Sequence, residues 1–379
     1  MPFPLTGVRV LDLTRLVPGA FATLMLAELG AEVIKIEDPR GGDPMRHMPP
    51  LLNGRGLYDL LLNRGKKSVV LDLRAEESGA ILDRLLSSTD IVVESFRPAT
   101  ARRLGVSAGQ LRARHPRLIH CAITGYGQTG PYADRPGHDL NYVAISGVLS
   151  VDRPAPLSLP RMFLADIGGG AMTTVIGILA ALYARERTGE GAALDVSMHE
   201  AALYWLMLPA ARELVDDGAR ATGELPTFGG HACYNVYETR DGESIALGAL
   251  EPKFWTAFCR ALGRDDLVAR QLTDDEDQAS LLAEIRRTFA SRTSDEWLAF
   301  FEAHDVGVTR VNRPAGALTD PHIAARGAVV RGHGLRAIRP PFAAVVPDLA
   351  PAPSLGQETD EVLQACYNGR LGSVKKGRP

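Results

Sequence analysis

The sequence predicts an α/β protein that has a parallel, Rossmann-like sheet and a second, smaller α+β domain. Runs of β-forming residues at 8–13 and 31–37 flank a turn at 17–19 and a helical pattern at 21–29, which together indicate a βαβ unit. Asp241-Gly242 stands between two further β-rich runs, a strong signal for a β-hairpin. The chain has 379 residues, more than one ordinary core holds, so two domains are expected.

The remaining elements of the large domain follow in chain order. Strands are predicted at 67–73, 91–93, 118–123 and 193–196, because each is a short apolar run bounded by turn residues. Helical patterns are predicted at 76–87, 171–183 and 200–208. The polar, Gly- and Pro-containing stretch at 215–228 predicts a linker.

The smaller domain is predicted after this linker. The hairpin strands lie at 234–239 and 244–249, and helical patterns follow at 253–262, 278–290 and 294–303. Residues 319–322 are expected to cap a short helix. From about residue 339 the chain is Pro-rich and extended until a final helix at 361–367, and the basic tail at 375–378 is expected to be disordered.

Composition excludes several functional classes. The net charge of −3 argues against a nucleic-acid-binding protein. The N-terminus lacks the pattern of a signal peptide, and no apolar run reaches the ~18 residues of a membrane span. The four cysteines form no CxxC pair, so no structural zinc or other metal site is expected, and a reducing, cytoplasmic location is the expectation.

Residues 125–170 hold the most informative chemistry. His138 and Asp139 lie between Gly137 and Leu140-Asn141-Tyr142, and Asp166 precedes three glycines and an apolar helical run. If Asp166 stands just before a helix, free N–H groups there could bind an oxyanion, and an acid with an imidazole could move a proton beside a carbonyl. By residue type alone, Asp166 also fits a helix N-cap, and His138 fits an ordinary surface histidine.

Two other patterns concern nucleotide binding. Residues 125–130 spell GYGQTG, a literal GxGxxG, but prolines follow and no helical pattern starts there, so we reject a dinucleotide site. Arg64, Lys66, Arg97 and Arg103 come near strand ends, where open α/β sheets bind ligands. These cations indicate either a phosphate site or solvated, charged loops.

Several motifs in order resemble one family over nearly the whole chain. They include LTGVRVLDLTRLVPGAFATLMLAELGAEVIKIE, NRGKKSVVLDL, VESFRPATARRLGV, GHDLNY, ADIGGG, RERTGEGAALDVSMHEA, LGALEPKFW and SLGQETDEVL. They resemble the α-methylacyl-CoA racemase branch of the class III CoA-transferase superfamily (CaiB/BaiF, formyl-CoA transferase-like). The resemblance implies a large CoA-binding Rossmann-like domain at 1–214, a linker at 215–228, an inserted small domain at 229–328, and a segment at 329–379 that completes the large domain. It also implies an interlocked homodimer.

The resemblance assigns the catalytic roles. In the racemase branch, His138 and Asp166 would transfer the proton at the α-carbon of a 2-methylacyl-CoA, and Glu251 would orient His138. In the transferase branch, the residue matching Asp166 is instead a nucleophile that forms an acyl anhydride while CoA moves between carboxylic acids. His138 and Glu251 together favour the racemase; a transferase and a non-catalytic CoA-binding protein are the alternatives.

The resemblance also implies that acyl-CoA is the substrate and that no further cofactor takes part, while the composition predicts neither a nucleic acid nor a membrane as a partner. Asp38 stands where the family usually has an arginine that contacts CoA phosphate, so either Arg40 replaces that contact or the contact is absent. The residues expected to bind CoA or the acyl group are Ile36, Arg40, Asn63, Arg64, Gly65, Lys66, Leu71, Asp90, Arg97, Arg103, Gly137, Asp139, Leu140, Asn141 and Tyr142.

Overall fold

Two compact units make up the chain in the computed structural model, which describes residues 3–151, 161–215, 226–273, 275–341 and 349–368. One unit comprises residues 1–214 together with 327–379, and the other comprises residues 215–326. Most of the predicted linker and all of the predicted disordered tail lie outside the described residues.

The strands of both units are short. In chain order they are β1 (Arg9–Leu13), β2 (Glu32–Glu37), β3 (Leu51–Leu52), β4 (Arg55–Gly56), β5 (Lys67–Val70), β6 (Ile91–Glu94), β7 (Ile119–Thr124), β8 (Ala193–Ser197), β9 (Tyr234–Glu238), β10 (Ser244–Gly248), β11 (Val308–Arg310), β12 (Val329–Gly332) and β13 (Leu335–Ile338). The strands predicted at 8–13, 31–37, 67–73, 91–93, 118–123 and 193–196 are present with small shifts of their ends.

The helices connect these strands. They are α1 (Leu16–Glu28), α2 (Leu57–Leu62), α3 (Ser78–Leu86), α4 (Pro98–Arg103), α5 (Ala108–Arg114), α6 (Asp139–Ile145), α7 (Thr173–Thr188), α8 (Met198–Trp205), α9 (Pro252–Ala261), α10 (Asp275–Phe289), α11 (Ser294–Phe301), α12 (Pro314–Ala317), α13 (Pro321–Ala325) and α14 (Thr359–Tyr367). A π-helical segment, Leu164–Met172, leads directly into α7. Helix α1 includes the whole stretch 17–19 that was predicted as a turn, because Pro18 is acceptable in a first helical turn.

The large unit is built on a parallel sheet with the strand order β5-β2-β1-β6-β7-β8. Counted along the sheet strands alone this order is 3-2-1-4-5-6, which doubly wound α/β sheets share. Successive side chains of β1 point to opposite faces of the sheet. Val10 packs on the face covered by α1 and α7, whereas Leu11 packs on the face covered by α3, α4, α5 and α14. The order reverses between β1 and β6, so a crevice opens at the carboxyl ends of these two strands.

The segment after residue 349 is tied to the edge strand β5. Glu358 accepts a hydrogen bond from the Ser68 N–H at 2.7 Å, and Thr359 accepts one from the Val70 N–H at 2.9 Å. Val362 of α14 enters the core beneath this edge. The C-terminal segment therefore packs with the large unit.

The small unit contains an antiparallel sheet with the order β11-β10-β9. The hairpin predicted around Asp241-Gly242 joins β9 to β10, and Gly242 adopts the positive φ of 72° that this turn requires. The core of the small unit is aromatic, with stacked rings of Phe258, Phe289 and Phe301. Asp320 caps α13 as predicted, since its carboxylate accepts the His322 N–H at 2.9 Å.

One helical stretch is longer and more apolar than the sequence analysis expected. The π-helical segment and α7 run continuously over Leu164–Thr188, which meets the length and composition of a membrane-crossing helix. Buried core helices of globular proteins meet the same criterion, and Val175, Ile178 and Ala181 of this stretch pack in the core beside the sheet.

Candidate functional site

Two adjoining cavities lie at the carboxyl ends of β1 and β6. The larger has a volume of about 740 Å³ and the smaller about 340 Å³. Arg15, Phe96 and Thr100 line both cavities. Arg15 follows β1 and Phe96 follows β6, so the crevice predicted by the strand order is the place where both cavities form.

His138 lines the larger cavity and stands at the N-cap of α6. Its backbone N–H donates to Asn141 Oδ1 at 3.0 Å, while the Tyr142 hydroxyl donates to the Gly137 carbonyl at 2.6 Å. A Cβ at Gly125 would lie 2.4 Å from the Tyr142 ring, and one at Gly137 would lie 2.7 Å from it. The two glycines thus admit the ring, and the backbone on both sides of the His138 nitrogen is held in place.

Asp166 lines the same cavity as His138. Its backbone N–H donates to Asp139 Oδ1 at 2.9 Å, which brings a second carboxylate close to its own. Burial, and next the charge of Asp139, raise the pKa of Asp166 to about 7. Asp166 is therefore suited to accept and to return a proton near neutral pH.

A helix begins near Asp166 as expected, but it starts two residues before Asp166 instead of after the glycines. Asp166 lies in the first turn of the π-helical segment, and the Ile167 N–H donates to the Phe163 carbonyl at 3.0 Å. The glycines that follow admit helix α8: a Cβ at Gly168 would lie 1.8 Å from the Trp205 ring, and one at Gly170 would lie 2.8 Å from Met198. They serve helix packing, and the Ile167 N–H is already used within the helix.

The expected CoA residues divide into groups. Arg97, Gly137, Asn141 and Tyr142 line the larger cavity, and Ile36, Arg40, Leu71 and Arg103 line the smaller one. Asp139 and Leu140 line neither cavity. The Asp139 carboxylate accepts the Asp166 N–H, and Leu140 is exposed on α6.

Residues 63–66 and Asp90 are not part of these linings. Lys66 is buried, and its ammonium group donates to Thr23 Oγ1 at 2.7 Å and to Asn63 Oδ1 at 2.9 Å. Burial lowers the pKa of Lys66 to about 8. Arg64 pairs with Glu28 beside Gly65 in a separate cavity, and Asp90 pairs with Arg185 at the amino end of β6, the opposite edge of the sheet.

Arg40 is paired with Asp38. Its guanidinium donates to both carboxylate oxygens of Asp38, at 3.0 and 2.8 Å, and Arg74 also contacts this carboxylate. These hydrogen bonds, with the charges of both arginines, hold the pKa of Asp38 well below its usual range. Asp38 lines the smaller cavity, where it therefore offsets positive charge that a phosphate could otherwise meet.

Sequence reasoning missed four residues of this region: Arg15, Glu94, Phe96 and Thr100. Their signal was their position, since Arg15 follows β1 and the other three end or follow β6. Glu94 is fully buried, and its Oε2 accepts the Phe96 N–H at 2.7 Å. Burial raises the pKa of Glu94 to about 8, so a neutral carboxyl holds the turn that Phe96 occupies.

Glu251 lies in the small unit, where it forms the N-cap of α9 shortly after β10. Its side chain is exposed. Among the described residues of both units, no group of three or more His, Cys, Asp or Glu side chains is arranged to hold a metal ion.

Comparisons with known proteins match nearly the full chain. A family model described as CoA-transferase family III matches residues 5–359. The alpha-methylacyl-CoA racemase of Homo sapiens is 32% identical over 95% of this chain and 92% of its own length. The succinyl-CoA--D-citramalate CoA-transferase of Chloroflexus aurantiacus is 33% identical over 96% of this chain and 94% of its own length.

Solved structures give the same result for the fold. A CAIB/BAIF family protein from Brucella suis superposes with a TM-score of 0.83 at 27% identity, covering 97% of this chain and 100% of that protein. Rv3272 from Mycobacterium tuberculosis superposes with a TM-score of 0.83 at 32% identity, covering 95% and 99% of the two chains.

Proposed function

Because the chain belongs to CoA-transferase family III, we propose that it is a 2-methylacyl-CoA racemase or epimerase. The family resemblance of the sequence motifs is confirmed, and the chain is an enzyme of this family. The observation that carries the finer proposal is that His138 and Asp166 line one cavity. A transferase has a use for Asp166, whereas a two-base proton transfer uses both groups.

In the proposed reaction, one group removes the α-proton of the thioester and the other returns a proton to the opposite face. Neutral His138 serves one face and carboxylate Asp166 serves the other, and the roles exchange with the direction of reaction. General acid–base catalysis of this kind contributes about 10²–10⁴-fold in rate. The chemistry requires no cofactor beyond the coenzyme A that the substrate carries.

The enolate oxygen requires hydrogen-bond donors. The Ile167 N–H, which follows Asp166, does not supply one, because it donates to the Phe163 carbonyl. One such donor contributes about 3–4 kcal/mol in comparable sites.

We also propose that the enzyme is a homodimer in which Glu251 orients His138 across subunits. A stripe of exposed apolar side chains on the continuous helix supports a partner surface. Met172, Ile176, Leu179 and Tyr183 recur at helical spacing and remain exposed in the described part of the chain. Contiguous exposed apolar surface of this kind marks protein contacts.

The alternative is a CoA-transferase, and its support is that the D-citramalate CoA-transferase described above is as similar to this chain as the racemase is. In that reaction the Asp166 carboxylate attacks the thioester carbonyl, forms an acyl anhydride and releases CoA thiolate.

We expect conversion of a single 2-methylacyl-CoA epimer into a mixture of both epimers without any added carboxylic acid. Chiral chromatography of the products at several concentrations of acetate or succinate tests this. The rate of epimer formation should not depend on the acid. A product that appears only with the acid, and that carries CoA on it, would support the transferase.

Asp139→Asn is expected to shift the pH dependence of the reaction. The amide still accepts the Asp166 N–H but carries no charge, so the pKa of Asp166 falls below about 7 while burial keeps it above the ordinary value. For the epimer whose proton Asp166 removes, kcat/KM falls as Asp166 becomes protonated, and this acid limb should move to lower pH. Glu190→Gln, an exposed acid outside both cavities, is the control and should leave the limb in place.

A further inference from the structure

Arg15 stands where the two cavities meet. It lines both of them, it is exposed, and its guanidinium group has no partner within the described part of the chain. The nearby cations differ from it: Arg40 is paired with Asp38, Arg97 lines only the larger cavity and Arg103 only the smaller one. An unpaired arginine at this junction is available for an anionic group.

The backbone around Arg15 is held from three directions. The Thr14 carbonyl accepts a hydrogen bond from Lys35 Nζ at 2.9 Å, and the Arg15 N–H donates to Ser95 Oγ at 3.2 Å. The Leu16 N–H donates to both carboxylate oxygens of Asp43 at 3.3 Å. The peptide groups before and after Arg15 are therefore fixed by side chains from β2, from the turn after β6 and from the loop after β2.

Leu16 adopts a left-handed conformation with a φ of 62°, which is unfavourable for a residue with a side chain. Such a conformation persists where the surroundings determine it, and here the Asp43 carboxylate accepts its N–H. Asp43 also pairs with Lys35 at 3.1 Å, and both side chains are buried. Burial alone would lower the pKa of Lys35, but Asp12 and Asp43 raise it above its ordinary value.

A buried ion pair is weak evidence for stability, because desolvation of both charges opposes their attraction. The Lys35–Asp43 pair has a second consequence in this chain: its two members hold the groups on either side of Arg15. The pair therefore fixes the backbone of the turn that carries Arg15.

We propose that Arg15 binds the diphosphate of the acyl-CoA substrate and that the Lys35–Asp43 pair positions it for this contact. The inference rests on the proposed function. An acyl-CoA whose thioester lies between His138 and Asp166, and whose nucleotide enters the smaller cavity, passes the wall that both cavities share. The diphosphate lies between these two ends of the molecule, and an arginine fork matches phosphate oxygens.

Titration calorimetry with free coenzyme A, which has no acyl group to transfer, tests the contact. Arg15→Met should raise the Kd for coenzyme A about tenfold or more at low ionic strength, because a charge-assisted hydrogen bond is lost. Arg15→Lys should retain part of the affinity, and the difference from the parent should shrink as salt is added. Pantetheine, which lacks the diphosphate and nucleotide, should bind the parent and Arg15→Met equally.

The positioning role is tested by coupling. Asp43→Asn should raise the Kd for coenzyme A in the parent but have no further effect in the Arg15→Met background. If Asp43→Asn does not fold, Leu16→Gly relaxes the same turn without touching the ion pair and allows the same comparison. Independent, additive effects would reject the positioning role.

Different outcomes would reject the Arg15 assignment and the proposed function. If the parent binds coenzyme A and Arg15→Met binds it equally well at low salt, the assignment of Arg15 is wrong and the proposed function stands. If the parent binds no coenzyme A at all, the proposed function is wrong, and the inference with it.

Discussion

Asp166→Asn is expected to lower the rate of epimer interconversion by about 10²–10⁴-fold, because an amide cannot accept the α-proton. His138→Ala should have an effect of similar size, but it should retain slow exchange of the α-proton on the face that Asp166 serves. Both side chains line the cavity rather than fill the core, so both variants should fold and bind coenzyme A as the parent does.

The measurement is the initial rate with each purified epimer, combined with the Kd for coenzyme A. His199→Ala is the control, since His199 lies on α8 and is not part of the lining of the larger cavity. The two-base account is contradicted if His138→Ala epimerises its substrate at the parental rate while Asp166→Asn is inactive. That pattern would show that Asp166 alone supplies the base, with no part for His138.

Ile176→Asp is expected to abolish both the dimer and the activity. Ile176 is 68% exposed in the described chain, so an aspartate there costs little in a monomer. In a homodimer that covers the apolar stripe, the same aspartate would place an unpaired charge in the interface, which typically costs several kcal/mol. Activity should fall with the dimer if Glu251 orients His138 across subunits.

Sedimentation velocity and the epimerisation rate, measured on the same samples, test this prediction. Ile338→Asp is a matched control, because Ile338 is 67% exposed and lies on β13 and not on the helix that carries the stripe. A compact Ile176→Asp dimer with parental activity would show that the stripe is not the subunit contact. A compact, active monomer of the parent chain would reject the dimer itself.

The main sheet could be predicted because its strands have strong local signals. Residues 31–37 and 118–123 are short, β-rich and bounded by turns, and they need no distant information to be recognised. The short helices α4, α5 and α6 escaped prediction because six or seven residues do not establish a helical period. Proline at the start of α4 and shortly before α6 made these stretches resemble loops.

Candidate site residues could be recognised where a local motif marks them, but the packing around them could not be predicted. His138 and Asp166, 28 positions apart in the sequence, line one cavity in accordance with their proposed partnership. The π-helical onset around Asp166 could not be predicted, because the three glycines indicate a break until helix α8 is known to pack against them. Tertiary packing overrides local propensity at this point.

Lys66 was predicted to bind the ligand, but the structure places its side chain in the protein interior. A lysine before a strand indicates a ligand-binding cation, but this ammonium group lies in the interior, 3.3 Å from the Asp12 carboxylate. Asp12 lies 54 residues earlier on β1, so no local sequence pattern predicts that it pairs with Lys66. Arg15 was overlooked for the same reason. Its position between the two cavities depends on β1 and β6 being neighbours in the sheet, which no local pattern shows.

The most direct test of the central claim is incubation of the enzyme with a single (2R)-2-methylacyl-CoA in D₂O and no carboxylic acid. The account predicts deuterium at C2 together with formation of the 2S epimer, which mass spectrometry and chiral chromatography detect in one sample. It is contradicted if C2 acquires no deuterium from several branched acyl-CoAs while hydroxylamine, added with acyl-CoA, converts Asp166 into its hydroxamate and releases the carboxylic acid, as expected of an aspartyl acyl anhydride.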